Sequence, residues 1–388
     1  MIQTPKPLKK IMNKIALCMI VKNEAHIIRR CIDSVAPLVD YVYVHDTGST
    51  DGTGQVIKDH LASIGKPGEV EYVGWTDFAT NRSRALRNLK GKGFFDYALM
   101  IDADEILVFR DRKFVDNPDL IKQRLGCDLY EIESRMGGNS YHRPQLTSLK
   151  KDFFYKGVVH EFLDCEQEIE TRDVITEFFN KPIQDSARNQ MGTKKFEKDA
   201  EKLLQALKTE KDEFMRGRYS FYLAQSYRDS NKPEQAIKYY EQRISHGGWE
   251  QETYISHLHI GLLKKQLKYE SRDVLESFAR ATELIPTRAE ALCEYMKTCR
   301  EDKFYQLSYM VGKHAAEIVN PKNSLFGMDW VYNYGIKDEL AVAAFHAGDY
   351  KLSYRLNKEI LKFPALPAEY RTRVADNMMF AENKYKKK

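Results

Sequence analysis

The sequence has no apolar run long enough to cross a lipid bilayer. The best run, residues 15–21, has the length of a β-strand and is followed by charged residues, so we expect no transmembrane segment. The first residues include Lys6, Lys9 and Lys10 but lack a long apolar stretch and a small-residue cleavage site. A secretory signal is therefore not expected.

Cysteine is scarce, and its spacing is uninformative. The six cysteines of the 388 residues form no CxxC pair and have no histidine at zinc-finger spacing. This pattern favours a cytoplasmic chain with reduced cysteines and no structural zinc. The lysines at 384 and 386–388 are typical of a solvated tail, and peripheral contact with a membrane is the alternative.

No strong charge imbalance is present. The 61 basic and 56 acidic residues give a net charge of +5, which suits anionic ligands mildly and does not indicate nucleic-acid binding. A hydrophobic fraction of 43% is enough for sizeable cores, and the length suggests two or three domains.

The first part of the chain alternates between strand and helix patterns. Strands are predicted at 14–21, 40–44, 70–73 and 97–101, and helices at 24–35, from the 47–53 turn to about 64, and at 78–89. This rhythm predicts an α/β domain with a mostly parallel sheet.

Polar clusters follow each predicted strand. They are residues 22–24, 45–53, 75–81 and 102–105. Because ligands of such sheets bind beyond the carboxyl ends of the strands, these clusters together predict a site at one edge.

Asp102 and Asp104 are the sharpest chemical feature at that edge. Two carboxylates one residue apart, where a strand gives way to a turn, can direct oxygens to Mg²⁺ or Mn²⁺. Such an ion neutralises charge on a leaving diphosphate. The Asp-x-Asp pattern also occurs on solvated turns, so its position after an apolar strand carries the prediction.

The four motifs, residues 17–24, 44–53, 77–82 and 102–105, resemble those of GT-A glycosyltransferases of family two. They are particularly similar to the branch in which tetratricopeptide repeats follow the catalytic domain. The match is dense through Glu105 and sparser to about Leu163. The resemblance implies a GT-A nucleotide-sugar-binding domain.

Site residues carry over from this resemblance. It implies that Asp46 contacts the nucleotide base, that Arg82 contacts the diphosphate or base, and that Asp104 is the principal metal ligand. The branch typically has Asn after the arginine, where this chain has Ser83. The full implied nucleotide-binding set is Val21, Asn23, Glu24, Asp46, Gly48, Ser49, Asp51, Arg82, Asp102 and Ala103.

Each of these residues has a purely structural alternative. Asp46 and Asp51 could cap the second helix, and Arg82 could be a solvated helix residue. The co-occurrence with the acidic residues 102–105 favours the functional interpretation.

A second motif, residues 155–162, resembles a downstream segment of the same branch, and Arg143 matches an arginine on the preceding strand. The resemblance implies His160 as a third metal ligand beside Asp102 and Asp104. The alternative is a structural histidine on a β-hairpin. Residues 135–144, which contain Gly137, are a candidate rim for the acceptor.

Family-two enzymes are expected to invert the anomeric centre, so a carboxylate should deprotonate the acceptor. The candidates are Glu161, Glu105 and Asp152, in that order. Because neighbours on a strand point to opposite faces, Glu161 and His160 could not easily face one sugar from a regular strand.

From about Gln190 the composition becomes helical. Residues 221–244 read as a helix, a turn and a helix, with small and aromatic residues at tetratricopeptide positions, and the pattern recurs through 274–286, 316–321 and 344–356. We predict a catalytic domain at 1–188 and an all-α tetratricopeptide-like domain of three to four units at 189–388. The repeats could bind a protein partner or a second copy.

The leading prediction is an inverting, metal-dependent hexosyltransferase that uses Mn²⁺ or Mg²⁺. It would move the sugar of a nucleotide diphosphate sugar, such as a UDP-sugar, to a glycan, lipid or protein. The alternative is an interaction scaffold with a degraded transferase domain, which the intact Asp102 and Asp104 disfavour. A nucleotidyltransferase ranks last, because the turn at residues 22–24 lacks glycines.

Overall fold

The structure is a computed structural model that describes residues 12–136, 139–321 and 324–386. The chain divides into two compact units, and the division falls between Lys195 and Phe196.

The N-terminal unit is built on an eight-stranded sheet with the order β3-β2-β1-β4-β7-β6-β10-β5, and β8 and β9 form a separate hairpin. The strands are β1 Ile15–Val21, β2 Tyr41–Asp46, β3 Gly68–Tyr72, β4 Tyr97–Leu99, β5 Glu105–Phe109, β6 Leu129–Met136, β7 Asn139–Ser148, β8 Phe153–Lys156, β9 Phe162–Cys165 and β10 Arg172–Pro182.

The first four strands pair in parallel, as the alternation of strands and helices predicts. The second half of the sheet is mixed, because β7 runs antiparallel to both β4 and β6, while β10 is parallel to β6 and antiparallel to β5. The predicted α/β class with a mostly parallel sheet is confirmed.

Central strand β1 is buried on both faces, which explains its unbroken apolar sequence. Ile15 and Leu17 belong to a core on one side of the sheet, and Ala16 and Cys18 belong to a core on the other. The N-terminal unit therefore has a layer of packing on each side of the sheet.

Helices cover the two faces of this sheet. The main ones are α1 Ile28–Val35 and α2 Thr53–Ser63 in one core and α3 Phe78–Gly91 in the other. The chain also has the short helices α4 Lys113–Asp116 and α5 Asp119–Lys122, a 3₁₀ turn Asn189–Met191, and α6 Lys194–Thr209, which crosses the division of the chain. The first helix was predicted from Glu24, but it begins at Ile28, because residues 25–27 form a turn. Asp77 begins α3 by accepting a hydrogen bond from the Thr80 amide (2.7 Å).

The second unit is all-α, as predicted. Its helices are α7 Glu213–Asp229, α8 Pro233–Ser245, α9 Glu250–Gln266, α10 Ser271–Leu284, α11 Glu290–Glu301, α12 Tyr305–Ala315, α13 Ile336–His346, α14 Tyr350–Ile360 and α15 Ala368–Tyr385, with a π-helical turn Val331–Gly335 before α13. Short turns join α7 to α8, α9 to α10, α11 to α12 and α13 to α14. These four pairs are the predicted helix–turn–helix units.

Gly261 lies where α9 crosses the buried ring of Phe278. A Cβ at position 261 would stand 2.4 Å from a ring carbon of Phe278, which is itself fully buried. We expect Gly261→Ala to lower the free energy of unfolding by about 1–3 kcal/mol through overpacking. Urea denaturation measures this change. Gly327→Ala is the control, since its Cβ would make only ordinary contacts at 3.5 Å, and an equal loss in both variants would contradict the explanation.

Candidate active site

The loops after β1 and β2 are joined by hydrogen bonds at the carboxyl edge of the sheet. The Asn23 amide donates to Ser49 Oγ (2.9 Å), and the Thr50 amide donates to Asn23 Oδ1 (2.8 Å). The Glu24 amide donates to Thr53 Oγ1 (2.8 Å). Asn23 has a φ of 59°, a left-handed conformation that asparagine tolerates better than most residues. The structure therefore brings the predicted residues 21–24 and 46–51 together.

Asp46 and Asp51 shape the second of these loops. Asp46 is buried and accepts hydrogen bonds from the amides of Gly48 (3.1 Å) and Ser49 (2.7 Å). Asp51 accepts from the Thr53 amide at the start of α2 and from the Ala25 amide. Burial would raise the pKa of Asp51, but these bonds hold it below its usual value. Asp51 therefore bonds to the start of α2, as the structural alternative predicts, whereas Asp46 bonds to amides of the loop before it. Contact of either aspartate with a nucleotide stays a prediction.

Arg82 stands at the centre of a charged cluster. Its Nε donates to Glu161 Oε1 (2.8 Å), and its Nη2 donates to Asp102 Oδ1 (2.5 Å). The guanidinium also lies over the ring of Tyr155, 5.6 Å from the ring centre. Only 15% of the Arg82 side chain is exposed. The alternative of a solvated helix residue therefore does not describe this arginine.

Asp102, Ala103 and Asp104 lie in the turn between β4 and β5, and Glu105 begins β5. Glu105 accepts from the Asp102 amide (3.0 Å) and from Arg143 Nη1 (2.5 Å). Burial would raise the pKa of Asp102, but the positive charges of Arg82 and Arg143 hold it below its usual value. Ala103 is buried inside the turn. Asp102 therefore remains ionised between two guanidinium groups.

The segment after β10 folds over this edge, which the sequence patterns did not predict. Asn189 Nδ2 donates to Asp104 Oδ2 (3.1 Å), and the Ala187 amide donates to Glu24 Oε2 (3.3 Å). A two-bond ion pair between Arg30 and Asp185, with both distances 2.8 Å, fixes the segment. No periodicity or known motif marks these residues, so only the tertiary structure shows them.

Glu24 is an unusual carboxyl group in this region. It is 8% exposed, and burial, opposed by the Ala187 amide and reinforced by the negative charge of Asp104, raises its pKa to about 7. Strongly perturbed carboxyl groups are concentrated at functional sites. Its position is consistent with the predicted site at this sheet edge.

His160 and Glu161 lie in the loop between β8 and β9, not on a strand. His160 is exposed with a φ of 52°, so the argument that the two side chains must point to opposite faces of a strand does not apply. Glu161 reaches Arg82. Ser83 attaches the hairpin to α3, because its Oγ accepts from the Tyr155 amide (2.8 Å).

The other two candidate bases are placed differently. Asp152 bonds to Lys90 and to Gln167, and Lys90 lies eight positions after Arg82 on α3, about 12 Å along the helix axis. Glu105 is 3% exposed, and both of its oxygens accept hydrogen bonds. The structure therefore brings Glu161 alone of the three to Arg82 with its carboxylate partly exposed.

The three predicted metal ligands are not gathered in one place. Among the residues that the structure describes, no group of three or more His, Cys, Asp and Glu side chains is arranged to hold a metal ion. The pair Asp102 and Asp104 still fits Mg²⁺ or Mn²⁺, because such ions take one or two carboxylates and complete their shell with water and substrate phosphates. Each carboxylate has one oxygen engaged by Arg82 or Asn189.

The predicted acceptor rim, residues 135–144, lies only partly within the described residues. Gly137 and Gly138 lie outside the described residues, and Arg135 is bound to Glu133 (2.8 Å) at the end of β6. The role of this rim stays a prediction.

The family model described as Glycosyl transferase family 2 matches residues 16–110, the span from β1 through β5. The N-terminal unit therefore contains a region that is similar to the glycosyltransferases of family 2. The predicted resemblance is confirmed for this region, and the all-α unit that follows it in the sequence is the predicted helical part.

A TPR repeat-containing protein of Synechococcus elongatus is 30% identical over 159 residues, which is 39% of this chain and 36% of that protein. The chain thus spans about a third of the length of this curated relative. Similar solved structures include a tetratricopeptide repeat protein from Parabacteroides merdae (15% identity, 51% of this chain, 73% of that chain, TM-score 0.38). BtubC from P. vanneervenii is another (14% identity, 49% of this chain, 77% of that chain, TM-score 0.37).

Every helix in the described part of the chain is too short or too polar to cross a membrane.

Proposed function

We propose that this protein is an inverting, metal-dependent glycosyltransferase that moves a hexose from a nucleotide diphosphate sugar to a glycan, lipid or protein. The observation that carries the proposal is the Arg82 guanidinium held between Asp102 and Glu161 at the carboxyl edge of the sheet. The matched family 2 domain supports the same chemistry.

Arg82 would bind the diphosphate of the donor. The planar guanidinium can donate two parallel hydrogen bonds to phosphate oxygens. In the structure its nitrogens donate instead to Asp102 and Glu161, whose carboxylates are negatively charged as a phosphate is. A diphosphate would replace one or both of these carboxylates. The loops of Asp46 and Ser49 would border the nucleoside, and we propose uridine as the base.

Asp102 and Asp104 would hold Mn²⁺ or Mg²⁺. The ion, when bound, supplies positive charge to the leaving diphosphate. Glu161 adds a further carboxylate near the same edge, which favours a cation there. We keep His160 as a proposed further ligand, although it lies in the exposed loop.

Glu161 is the proposed catalytic base. Its side chain is 13% exposed and shares Arg82 with Asp102. When a diphosphate engages Arg82, Glu161 Oε1 loses its hydrogen bond and can accept the proton of an acceptor hydroxyl. The oxygen that loses this proton then attacks the anomeric carbon, as the nucleotide diphosphate leaves from the opposite face.

Thermal stabilisation by donor nucleotides tests the proposal. UDP-, GDP- and CDP-sugars are added to the full chain with and without Mn²⁺. We expect a UDP-sugar to raise the thermal midpoint when Mn²⁺ is present, by the mass-action effect of binding to the folded state alone. Asp104→Ala should abolish this shift.

Asp111→Ala is a matched control, because Asp111 is an exposed aspartate beyond β5. It should keep the full shift. A wild-type protein that no donor stabilises would contradict the transferase proposal. A shift that is independent of Mn²⁺ and survives in Asp104→Ala would contradict the metal site.

A protein-interaction scaffold is the second candidate. It is supported by the all-α unit and by the name of the Synechococcus relative, a TPR repeat-containing protein. Partner proteins or a second copy would then bind to the helical unit.

We further propose that the protein works in a reducing compartment such as the cytoplasm, in keeping with its six free cysteines.

A further inference from the structure

A surface groove of about 820 Å³ lies in the helical unit. It is bounded by α10, by the end of α11 and by the turn that leads into α12. The residues along it include Glu270, Leu275, Ala279, Tyr295, Asp302 and Phe304. A volume of this size can hold several side chains of a peptide.

The groove combines apolar side chains with polar ones such as Ser271 and Glu276. Leu275, Ala279 and Tyr295 lie on the two helices, and Phe304 is 51% exposed at the turn. An apolar groove rimmed by polar side chains is typical of a surface that binds a partner.

Asp302 is placed where a carboxylate is unfavourable. It caps the carboxyl end of α11, and the partial negative charge of a helix end repels an anion. Its Oδ2 is buried and has no hydrogen-bond partner among the described residues. Its neighbour Glu301, in contrast, pairs with Lys265 at 2.7 Å.

A carboxylate whose buried oxygen lacks a donor is costly, and a ligand that brings a cation beside Asp302 would reduce this cost. Arg272 also lines the groove, but no ion pair joins it to Asp302 within the described part of the chain. The helix end of α11 would add to the attraction for a cation. The same negative charge disfavours nucleic acids and anionic lipids.

We propose that this groove binds a segment of a partner protein in which an Arg or Lys side chain is flanked by apolar residues. The cationic group donates to Asp302 at the end of α11. The apolar neighbours lie against Leu275 and Phe304. This inference concerns the helical unit and does not depend on the transferase chemistry proposed for the other unit.

Fluorescence anisotropy of the full chain tests the site, with a short fluorescein-labelled peptide in which two leucines flank one arginine. We expect saturable binding by the wild type. Asp302→Asn should weaken it at least about tenfold, because a charge-assisted hydrogen bond is lost. Phe304→Ala should weaken it by a similar factor. Glu283→Gln is the matched control, since this glutamate of α10 is 74% exposed and outside the groove, and it should change binding less than about twofold.

Peptide controls and a stability measurement complete the test. Replacing the arginine of the peptide by glutamate, or its leucines by serine, should abolish binding. Asp302→Asn should unfold at the same temperature as the wild type or higher, because it removes an unfavourable charge. The proposal is wrong if wild type fails to bind the peptide at about millimolar concentration, if the glutamate peptide binds equally well, or if Asp302→Asn and Glu283→Gln behave alike.

Discussion

Arg288→Met should lower the free energy of unfolding of the helical unit by about 3–5 kcal/mol, because it would strand a buried carboxylate. Arg288 is fully buried and Glu290 is 1% exposed. Two guanidinium nitrogens of Arg288 donate to Glu290, at 2.9 Å and 3.2 Å. Tyr254 and Tyr332 donate their hydroxyl hydrogens to the same carboxylate, at 3.2 Å and 2.9 Å.

The arrangement ties three segments of the helical unit together. Arg288 also donates to Gln251 on α9 (2.5 Å) and lies 4.2 Å from the ring centre of Tyr254. Methionine would fill much of the space of the arginine but supply no charge. The hydroxyl groups of Tyr254 and Tyr332 cannot replace a full positive charge beside Glu290. The fall in the free energy of unfolding should therefore exceed that caused by a cavity of the same size.

Urea denaturation followed by circular dichroism measures this loss, since the helical unit contributes most of the helical signal. Arg280→Met is the matched control, because Arg280 is 59% exposed and only weakly paired, and it should cost less than about 0.5 kcal/mol. Adding Glu290→Gln to Arg288→Met should recover part of the loss, because no buried charge remains. Equal stabilities of the Arg288 and Arg280 variants would show that the buried pair is not a major source of stability.

The parallel half of the sheet could be predicted because local patterns encode it. Apolar strands such as residues 15–21 are separated by helices whose buried side chains recur with helical spacing, as Ile28, Ile32 and Val35 do in α1. The rule that ligands bind at the carboxyl ends of parallel strands then places the site. These inferences need only neighbours in the sequence.

The second half of the sheet and the closing segment could not be predicted in this way. Strand β10 lies between β6 and β5, a pairing between residues about seventy positions apart in the case of Phe178 and Phe109. The contact of Arg82 with Glu161 spans 79 positions, and that of Asn189 with Asp104 spans 85. Helix and strand periodicities cover only a few neighbouring residues, so they cannot predict contacts over such sequence separations. The family resemblance named Arg82 and Glu161 as site residues but did not predict that they contact each other.

In the helical unit, too, local patterns predict some features and not others. Small and aromatic residues at repeat positions, such as Ala224, Ala236 and Tyr240, are fully buried as their spacing predicts. The Arg288 cluster was not predicted, because its members come from α9, from the start of α11 and from the π-helical turn, and two of its charges look like ordinary surface residues in the sequence. Buried ion pairs are therefore the part of this unit that only the tertiary structure reveals.

Arg82→Ala should remove the donor-induced thermal shift, corresponding to a loss of donor affinity of about a hundredfold or more. The guanidinium contacts both Asp102 and Glu161, and the proposed diphosphate would bind to it. Arg82→Lys should also bind poorly, because an ammonium group keeps the charge but not the planar fork. Arg87→Ala is the matched control, since Arg87 is exposed on the same helix, and it should keep the full shift.

The same substitution should also weaken the folded state, and this effect must be separated from binding. Without Arg82, Asp102 and Glu161 would lose the guanidinium that joins them, although Arg143 would still attract Asp102. We expect the free energy of unfolding to fall by about 2 kcal/mol, less than for a fully buried pair because the Asp102 side chain is 34% exposed. Arg82→Met combined with Glu161→Gln should restore much of this stability but none of the donor-induced shift. If the double variant regains the shift, then Arg82 holds the hairpin loop in place and does not bind the donor.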